Sequence, residues 1–544
     1  MKNIYKSIFP MLCLAASVSL SSCIDETVPE DDYATTDQVG ASSSALEASL
    51  NGIPTQMTEG YLVYKGEQVD ETDMGYPQFM IALTEMLGDM YPGGEPGYDH
   101  YRSYNTLEGT VLSETSYFSY LPWFTLYQFV KTANDVIGAV DLESATDQQK
   151  GLLGSAYAAR AFDYYMLMTL FEPVENKYTD CSKVLGLTVP IVTEETTGEI
   201  AKNNPRVSHE EMMKFILSDL DKAIGCLSVT DAKSRRLPGL AAAYAIRAKV
   251  HLWDKDYENA AKYARMAIDA SGATPMSETE WTDPTTGFAK ACPSWLWYIN
   301  YSGESMRNLA NFVGWMSPEA AWGYGELTMP CIDKSLYDKI GSKDFRKNVF
   351  INPGKFAYYD YKTSHDRDFV ENAPDYMAVK FRCLNGNNST YSIGGATDVP
   401  VLRVEEMYLI EAEAVGASKS VAEGVALLND FMKSYRDPAY NYTGTDLRNF
   451  QIEVLTQMRI EFWGEGNAFA SAKRLKPNVI QNYDGTNAPA DPYKINCEGI
   501  KPNWTLCIPI SEVNANRALN GYNNPNPSVA VEGPTPIGQF APGK

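Results

Sequence analysis

The sequence predicts a mainly α protein: a tetratricopeptide-like helical-hairpin scaffold of about four units joined to an irregular, loop-rich α+β half. Three observations predict it. Apolar residues recur at three- and four-residue steps through most of 117–270. Small and aromatic residues alternate over 242–272 in the manner of a packed helical hairpin. Three stretches rich in Tyr, Gly, Pro or Asn break the helical rhythm: 60–112, 272–400 and the tail beyond 482. The scaffold is assigned to 46–290 and 400–480. The loop-rich portion, where function would sit on a rigid frame, is assigned to 60–112, 291–399 and 481–544.

At the N-terminus, Lys2 and Lys6 flank the start of an apolar or small run over 8–20. That run is far shorter than the roughly 20 residues of a membrane-spanning helix, so 1–22 reads as a signal peptide. It ends in Leu20-Ser21-Ser22-Cys23, which resembles the lipobox of bacterial lipoproteins, and Cys23 is the expected lipidated N-terminus. Residues 23–45 are expected to be a flexible acidic tether. Asp25, Glu26, Glu30, Asp31, Asp32 and Asp37 lie there among Ser, Thr and Gly, and bury too little apolar surface to offset ordering entropy. Asp25 and Glu26 also resemble the acidic export tags of Bacteroidetes surface lipoproteins.

The helices follow. Phe129, Val130, Ala133, Val136, Ile137 and Val140 mark one; Leu153, Tyr157, Ala161, Tyr164, Tyr165, Met168 and Phe171 mark the next. Ser208 and Glu211 form a capping box ahead of Met212, Phe215, Ile216, Leu220 and Ile224. Pro238 suits a helix first turn, with the helix running to Trp253. Tyr244, Ala248, Tyr257, Ala260, Ala264 and Ala267 give the clearest repeat unit: small residues let antiparallel helices approach, and aromatics fill the groove between them. One such unit cannot bury its own face, so others must flank it; the pairs around 117–172 and 404–434 are weaker candidates. The run from Trp295 to Tyr301 reads as a strand, which puts Trp295 and Trp297 in the core.

Net charge is −23, and two units more negative once Lys2 and Lys6 leave with the signal. So acidic a surface repels phosphate backbones and argues against nucleic acid as a partner. No second apolar run approaches membrane length. Beyond Cys13 and Cys23 there are seven cysteines, with no Cys-x-x-Cys pair, so small buried hydrophobes are the expected role.

Four segments carry a resemblance to a known family. They are Ala156-Tyr157-Ala158-Ala159-Arg160-Ala161-Phe162-Asp163-Tyr164-Tyr165 running on to Pro173-Val174; the hairpin at 239–270; Asp398-Val399-Pro400 through Glu411-Ala412-Glu413-Ala414; and Met458-Arg459-Ile460-Glu461-Phe462-Trp463-Gly464-Glu465-Gly466 continuing to Lys473-Arg474-Leu475. Ile508-Pro509-Ile510-Ser511, Asn516 and Asn523-Asn524-Pro525 form a coda. In order and spacing, and behind a lipobox, these segments resemble the SusD/RagB family of outer-membrane nutrient-binding lipoproteins. The fourth departs from the family pattern at Asn467-Ala468-Phe469-Ala470. The resemblance implies a helical half, an irregular half carrying the ligand surface, and a location on the outer membrane, lipid-anchored and facing the exterior. It also implies a partner, a SusC-like TonB-dependent barrel to which captured ligand is delivered. Arg459, Glu461 and Glu465 are expected to be ion pairs within packed helices.

No catalytic residues are assigned. His100, His209, His251 and His365 show no zinc-ligand spacing, and no nucleophile elbow, Walker loop or EF-hand loop is present. No metal site or cofactor is assigned, although scattered acids and carbonyls could hold calcium without a linear motif. A glycan surface needs flat rings for the apolar sugar faces and polar groups at their rim. Two stretches qualify, both matching loops from which the family builds its ligand surface. One, 89–105, contributes Tyr91, Tyr98, Tyr101 and Arg102; the other, 307–324, contributes Asn311, Trp315, Trp322 and Tyr324. Trp322→Ala is expected to abolish glycan binding with little effect on melting. Peptide capture is the competing reading, and a structural or adhesive lipoprotein the third; the Tyr and Trp content favours glycan.

Overall fold

The computed structural model describes residues 36–527 except 61–62, 65–66, 69–71, 95–96, 108–110, 305, 310, 352–372 and 490. The signal, Cys23 and most of the tether lie outside the described residues. The last ten tether positions do not read as expected: helices span Thr36–Gly40 and Ser43–Leu50, the second capped by the Ser42 hydroxyl.

The principal helices are α1 (Pro77–Leu87), α2 (Tyr117–Ile137), α3 (Asp147–Phe171), α4 (His209–Val229), α5 (Leu240–Trp253) and α6 (Tyr257–Ser271). Two one-turn helices follow, α7 (Phe312–Met316) and α8 (Tyr324–Thr328). The last are α9 (Val404–Ser418), α10 (Val421–Tyr435), α11 (Leu447–Glu461) and α12 (Ala468–Leu475). Among them α2 packs on α3, α3 on α4, α4 on α5, α5 on α6, α6 on α9, and α9 on α10 and α11. This is the predicted mainly α fold, a run of hairpins each covering its neighbour's apolar face. No described helix is long and apolar enough to cross a membrane.

Local chemistry explains the boundaries. Thr146 with Gln149 and Ser208 with Glu211 close the capping boxes that start α3 and α4. α5 starts two residues beyond Pro238, at Leu240. Pro122 interrupts α2 without ending it. It cannot donate to the Phe118 carbonyl one turn back, and that carbonyl instead accepts the Tyr104 hydroxyl at 2.9 Å. Gly424 lets α9 and α10 meet: a Cβ there would lie 2.6 Å from both the Ala412 carbonyl and the Gly416 Cα. α1 is a correction, since 60–112 reads as loop. Every α1 residue is buried, and the helix lies inside a stretch whose Tyr, Gly and acid content reads as loop; Pro77 at its start and left-handed Gly88 at its end bound it.

The strands come in antiparallel pairs. β2 (Trp295–Asn300) joins β4 (Asp398–Arg403), and Trp295 and Trp297 are fully buried. β1 (Met90–Pro92) joins β3 (Pro330–Ile332), with Tyr91 opposite Cys331. The seven described cysteines are buried and unpaired.

The expected ion pairs are present, and those of Glu461 and Glu465 are fully buried. Glu461 accepts from Arg346 (3.0 Å), Arg403 (3.0 Å) and Arg436 (2.8 Å), while Glu465 accepts from Arg403 (2.8 Å) and Lys380 (2.6 Å). Arg459 pairs with Asp89 and so ties α11 to the residue before β1.

His209 joins three helix ends. Its ring lies 2.8 Å from Glu172 at the end of α3 and 3.0 Å from Asp254 at the end of α5. The bond to Glu172, outweighing burial and helped by Asp254, pushes its pKa up to about 9. A raised histidine stabilises fully below its unfolded value of about 6.5, and that contribution is lost as pH rises through the folded value. The native melting temperature should therefore fall more steeply between pH 6.5 and pH 9.5 than that of His209→Asn. Parallel curves in a thermal-melt series would refute the assignment.

Candidate functional site

The β1–β3 pairing carries the site, because it sets the chain after β1 beside the chain before β3. From the first comes Tyr98 and a single 3-10 turn, His100–Arg102; from the second come α7 and α8. The Asn311 carboxamide caps α7, accepting from Gly314 N–H at 2.8 Å and donating to the Asn308 carbonyl at 2.7 Å. α8 starts against α7: a Cβ on Gly323 would lie 2.1 Å from the Gly314 carbonyl oxygen. That contact brings the Trp315 and Tyr324 rings to 4.8 Å.

An aromatic platform results. Tyr324 stacks on Tyr98 with centroids 5.9 Å apart and planes at 27°, and it touches His100 at 5.3 Å. Trp315 supports it from below, meeting His100 and Tyr101 edge to face at 5.4 and 5.2 Å. Such geometries suit ring quadrupoles. Tyr98 is 44 % exposed, Tyr324 and His100 are half-buried, and Leu327 of α8 is also exposed. The cavity behind the rings is about 30 Å³, enough for a water, so ligand contact falls on the outer ring faces.

Polar groups flank the rings. Arg102 is exposed and lies 4.0 Å from Asp99. Asp99 is buried; its carboxylate accepts from Gly97 N–H at 3.0 Å and from the Tyr493 hydroxyl. Burial raises its pKa, against the pull of the Gly97 N–H and Arg102. Deeper still, burial pushes Glu85 up to about 8, although the Asn105 amide donates to it at 3.1 Å. Lys501, donating to the Asn105 carbonyl at 2.8 Å, is pushed down to about 8 by the same burial. These groups hold the platform's base and do not face solvent. Among the described residues no group of three or more His, Cys, Asp or Glu side chains is placed to hold a metal ion.

The fold thus joins Tyr98, Tyr324 and Arg102 at the surface, over Trp315 and Tyr101. The remaining expected contacts are corrected. Tyr91 is fully buried against Tyr493, and its hydroxyl accepts from Gln481 at 3.2 Å. Tyr101 is buried with its hydroxyl bound to the Thr72 carbonyl; Asn311 is buried as the cap of α7; Trp315 is only 5 % exposed. Trp322 is half-buried against Val313, Ala320 and Cys383, with its indole N–H enclosed. Truncating it opens a packed loop, so Trp322→Ala lowers stability as well, contrary to the expectation from sequence. His100 belongs to the 89–105 stretch, and its place between Trp315 and Tyr324 depends on a strand pairing across more than two hundred residues.

A model described as the SusD family matches residues 251–526, just over half of the chain. The chain belongs to the SusD family. A second model, described as starch-binding associating with outer membrane, matches residues 97–252 of this SusD-family chain. A SusD-like protein, P38 of Formosa agariphila, is 24 % identical over 387 residues, which span 65 % of this chain and 72 % of that one. A SusD-like carbohydrate binding protein from Bacteroides vulgatus superposes with a TM-score of 0.69 at 20 % identity, covering 89 % of this chain and 98 % of that one. A SusD superfamily protein from Bacteroides thetaiotaomicron does so at 0.67 and 17 %, covering 89 % and 100 %. At these identities the structural likeness is one of fold.

Proposed function

We propose that this SusD-family chain is a non-catalytic, cell-surface lipoprotein that captures oligo- or polysaccharide and passes it to a SusC-like TonB-dependent barrel in the outer membrane. The observation that carries the reading is the Tyr98–Tyr324 stack, whose Tyr98 ring is exposed, with the exposed Arg102 guanidinium 4.0 Å from Asp99, the residue next to Tyr98. Two nearly parallel rings at 5.9 Å offer a flat apolar face to the C–H side of a sugar, and the guanidinium supplies donors for its hydroxyls. Each polar contact contributes only about 1 kcal/mol net, so a short glycan is held at roughly micromolar to millimolar affinity. Weak single contacts suit a protein that must release its ligand to a transporter, and a polymer gains retention by engaging many copies. The lipid on Cys23 would keep the platform at the membrane, and no cofactor enters this reading.

The test is a glycan array probed with the soluble chain starting after the tether, with a peptide library alongside. Binding to a set of glycan spots is expected. Retention by peptides with every glycan spot blank would overturn the proposal in favour of peptide capture.

A further inference from the structure

We infer a second glycan-contact site, on α2, in a pocket walled by the Phe124 ring, on which Tyr120 stacks, and edged by Gln56, Glu59 and Gln128. The inference rests on the glycan reading but uses none of the platform's residues. Tyr120 and Phe124 lie one turn apart and stack at 5.4 Å with planes only 19° apart. Both are half-buried. Tyr64 leans on the same stack at 5.2 Å.

The pocket beside Phe124 has a volume of about 220 Å³, against about 30 Å³ behind the platform. At about 30 Å³ per water it takes several water-sized groups, the scale of one sugar ring. Gln56 and Gln128 point polar groups there, and their side-chain amides make no hydrogen bond among the described residues. Each carboxamide offers two donors and an acceptor, the pairing a vicinal diol requires. Glu59 and Asp73 supply carboxylates at the same wall, which disfavours uronate, sulfate or phosphate groups and selects an uncharged sugar. Burial raises the Glu59 pKa and the nearby Arg307 guanidinium draws it back; the Arg307 carbonyl in turn accepts from Asn311, the cap of α7. The pocket therefore borders the loop that builds the platform, and one polymer chain has two places to dwell on one molecule.

The test uses an array of neutral oligosaccharides and uronate oligosaccharides, with the native chain, the platform variant Tyr98→Ala/Tyr324→Ala, the pocket variants Gln56→Ala/Gln128→Ala and Phe124→Ala, and their combinations. The glutamines are half-exposed, so their double variant keeps the fold even if Phe124→Ala does not. The platform variant should retain weak binding on neutral spots, and adding the glutamine substitutions should lower it by a further fivefold or more, roughly one to two lost hydrogen bonds. Binding to uronate spots should not change. If the platform variant removes all binding and the pocket variants bind as the native chain does, the second site is refuted and the platform stands. A native chain blank on every spot overturns both.

Discussion

Glu461→Gln is expected to lower stability by about 3–5 kcal/mol, the largest effect of any single substitution considered for this chain. The carboxylate is fully buried and receives three guanidinium groups, from Arg346, Arg403 and Arg436. Around it Asp344, Glu405 and Glu465 face those arginines and Lys380, so acids and bases balance inside a volume without solvent. Glutamine keeps the shape but removes the charge, leaving a cation without its counter-ion where desolvation is most costly. Burial alone would raise the Glu461 pKa, yet Arg436, Arg403 and Arg346 outweigh it and hold it well below the usual carboxylate range. A depressed carboxylate contributes stability that is present above its unfolded pKa, near 4.5, and lost as pH falls through the folded value. The native chain should thus lose this contribution only in strong acid, and the variant should lack it at neutral pH. Thermal melting at pH 7 decides: a midpoint within a degree or two of native would show that the network relaxes around the missing charge.

Tyr98→Ala/Tyr324→Ala is expected to weaken glycan binding about tenfold to a hundredfold, from two lost ring contacts of about 0.5–1.5 kcal/mol each. The fold should tolerate it. Tyr98 is 44 % exposed and its described ring contact is the stack on Tyr324; Tyr324 is half-buried, touches three rings and packs on the edge of the core, so part of the ring's loss will show as a lower melting temperature without unfolding. Tyr98→Phe/Tyr324→Phe should bind nearly as the native chain does, because the ring faces carry the contact. Calorimetric titration with whichever glycan the array identifies separates the outcomes. Equal loss in the phenylalanine variant would assign the contact to the hydroxyls, and no loss in the alanine variant would remove the platform from ligand binding.

The helical frame was legible because its signals are local. The capping box at Ser208, the small-residue repeat through Ala260, Ala264 and Ala267, and the apolar steps of α2 are each decided within a few turns of chain. The omission of α1 has a compositional cause: its eleven residues lie inside a stretch whose Tyr, Gly and acid content reads as loop. Family membership was also readable, since its segments are linear runs in a fixed order. The two stretches that meet at the platform could be named for their aromatic and polar content alone.

Which of those aromatics face outward was not in the sequence. Tyr91 and Tyr98 have the same composition and lie seven residues apart, yet one is fully buried and the other is exposed. What separates them is the pairing of β1 with β3, which turns Tyr91 inward onto Tyr493 and leaves Tyr98 to stack on Tyr324. The sequence by itself determined the hairpin scaffold, its caps and the loops that matter, because short-range hydrogen bonding and periodicity specify them. Only the tertiary structure decided which rings a ligand can touch, because exposure depends on contacts made across hundreds of residues that no local pattern encodes.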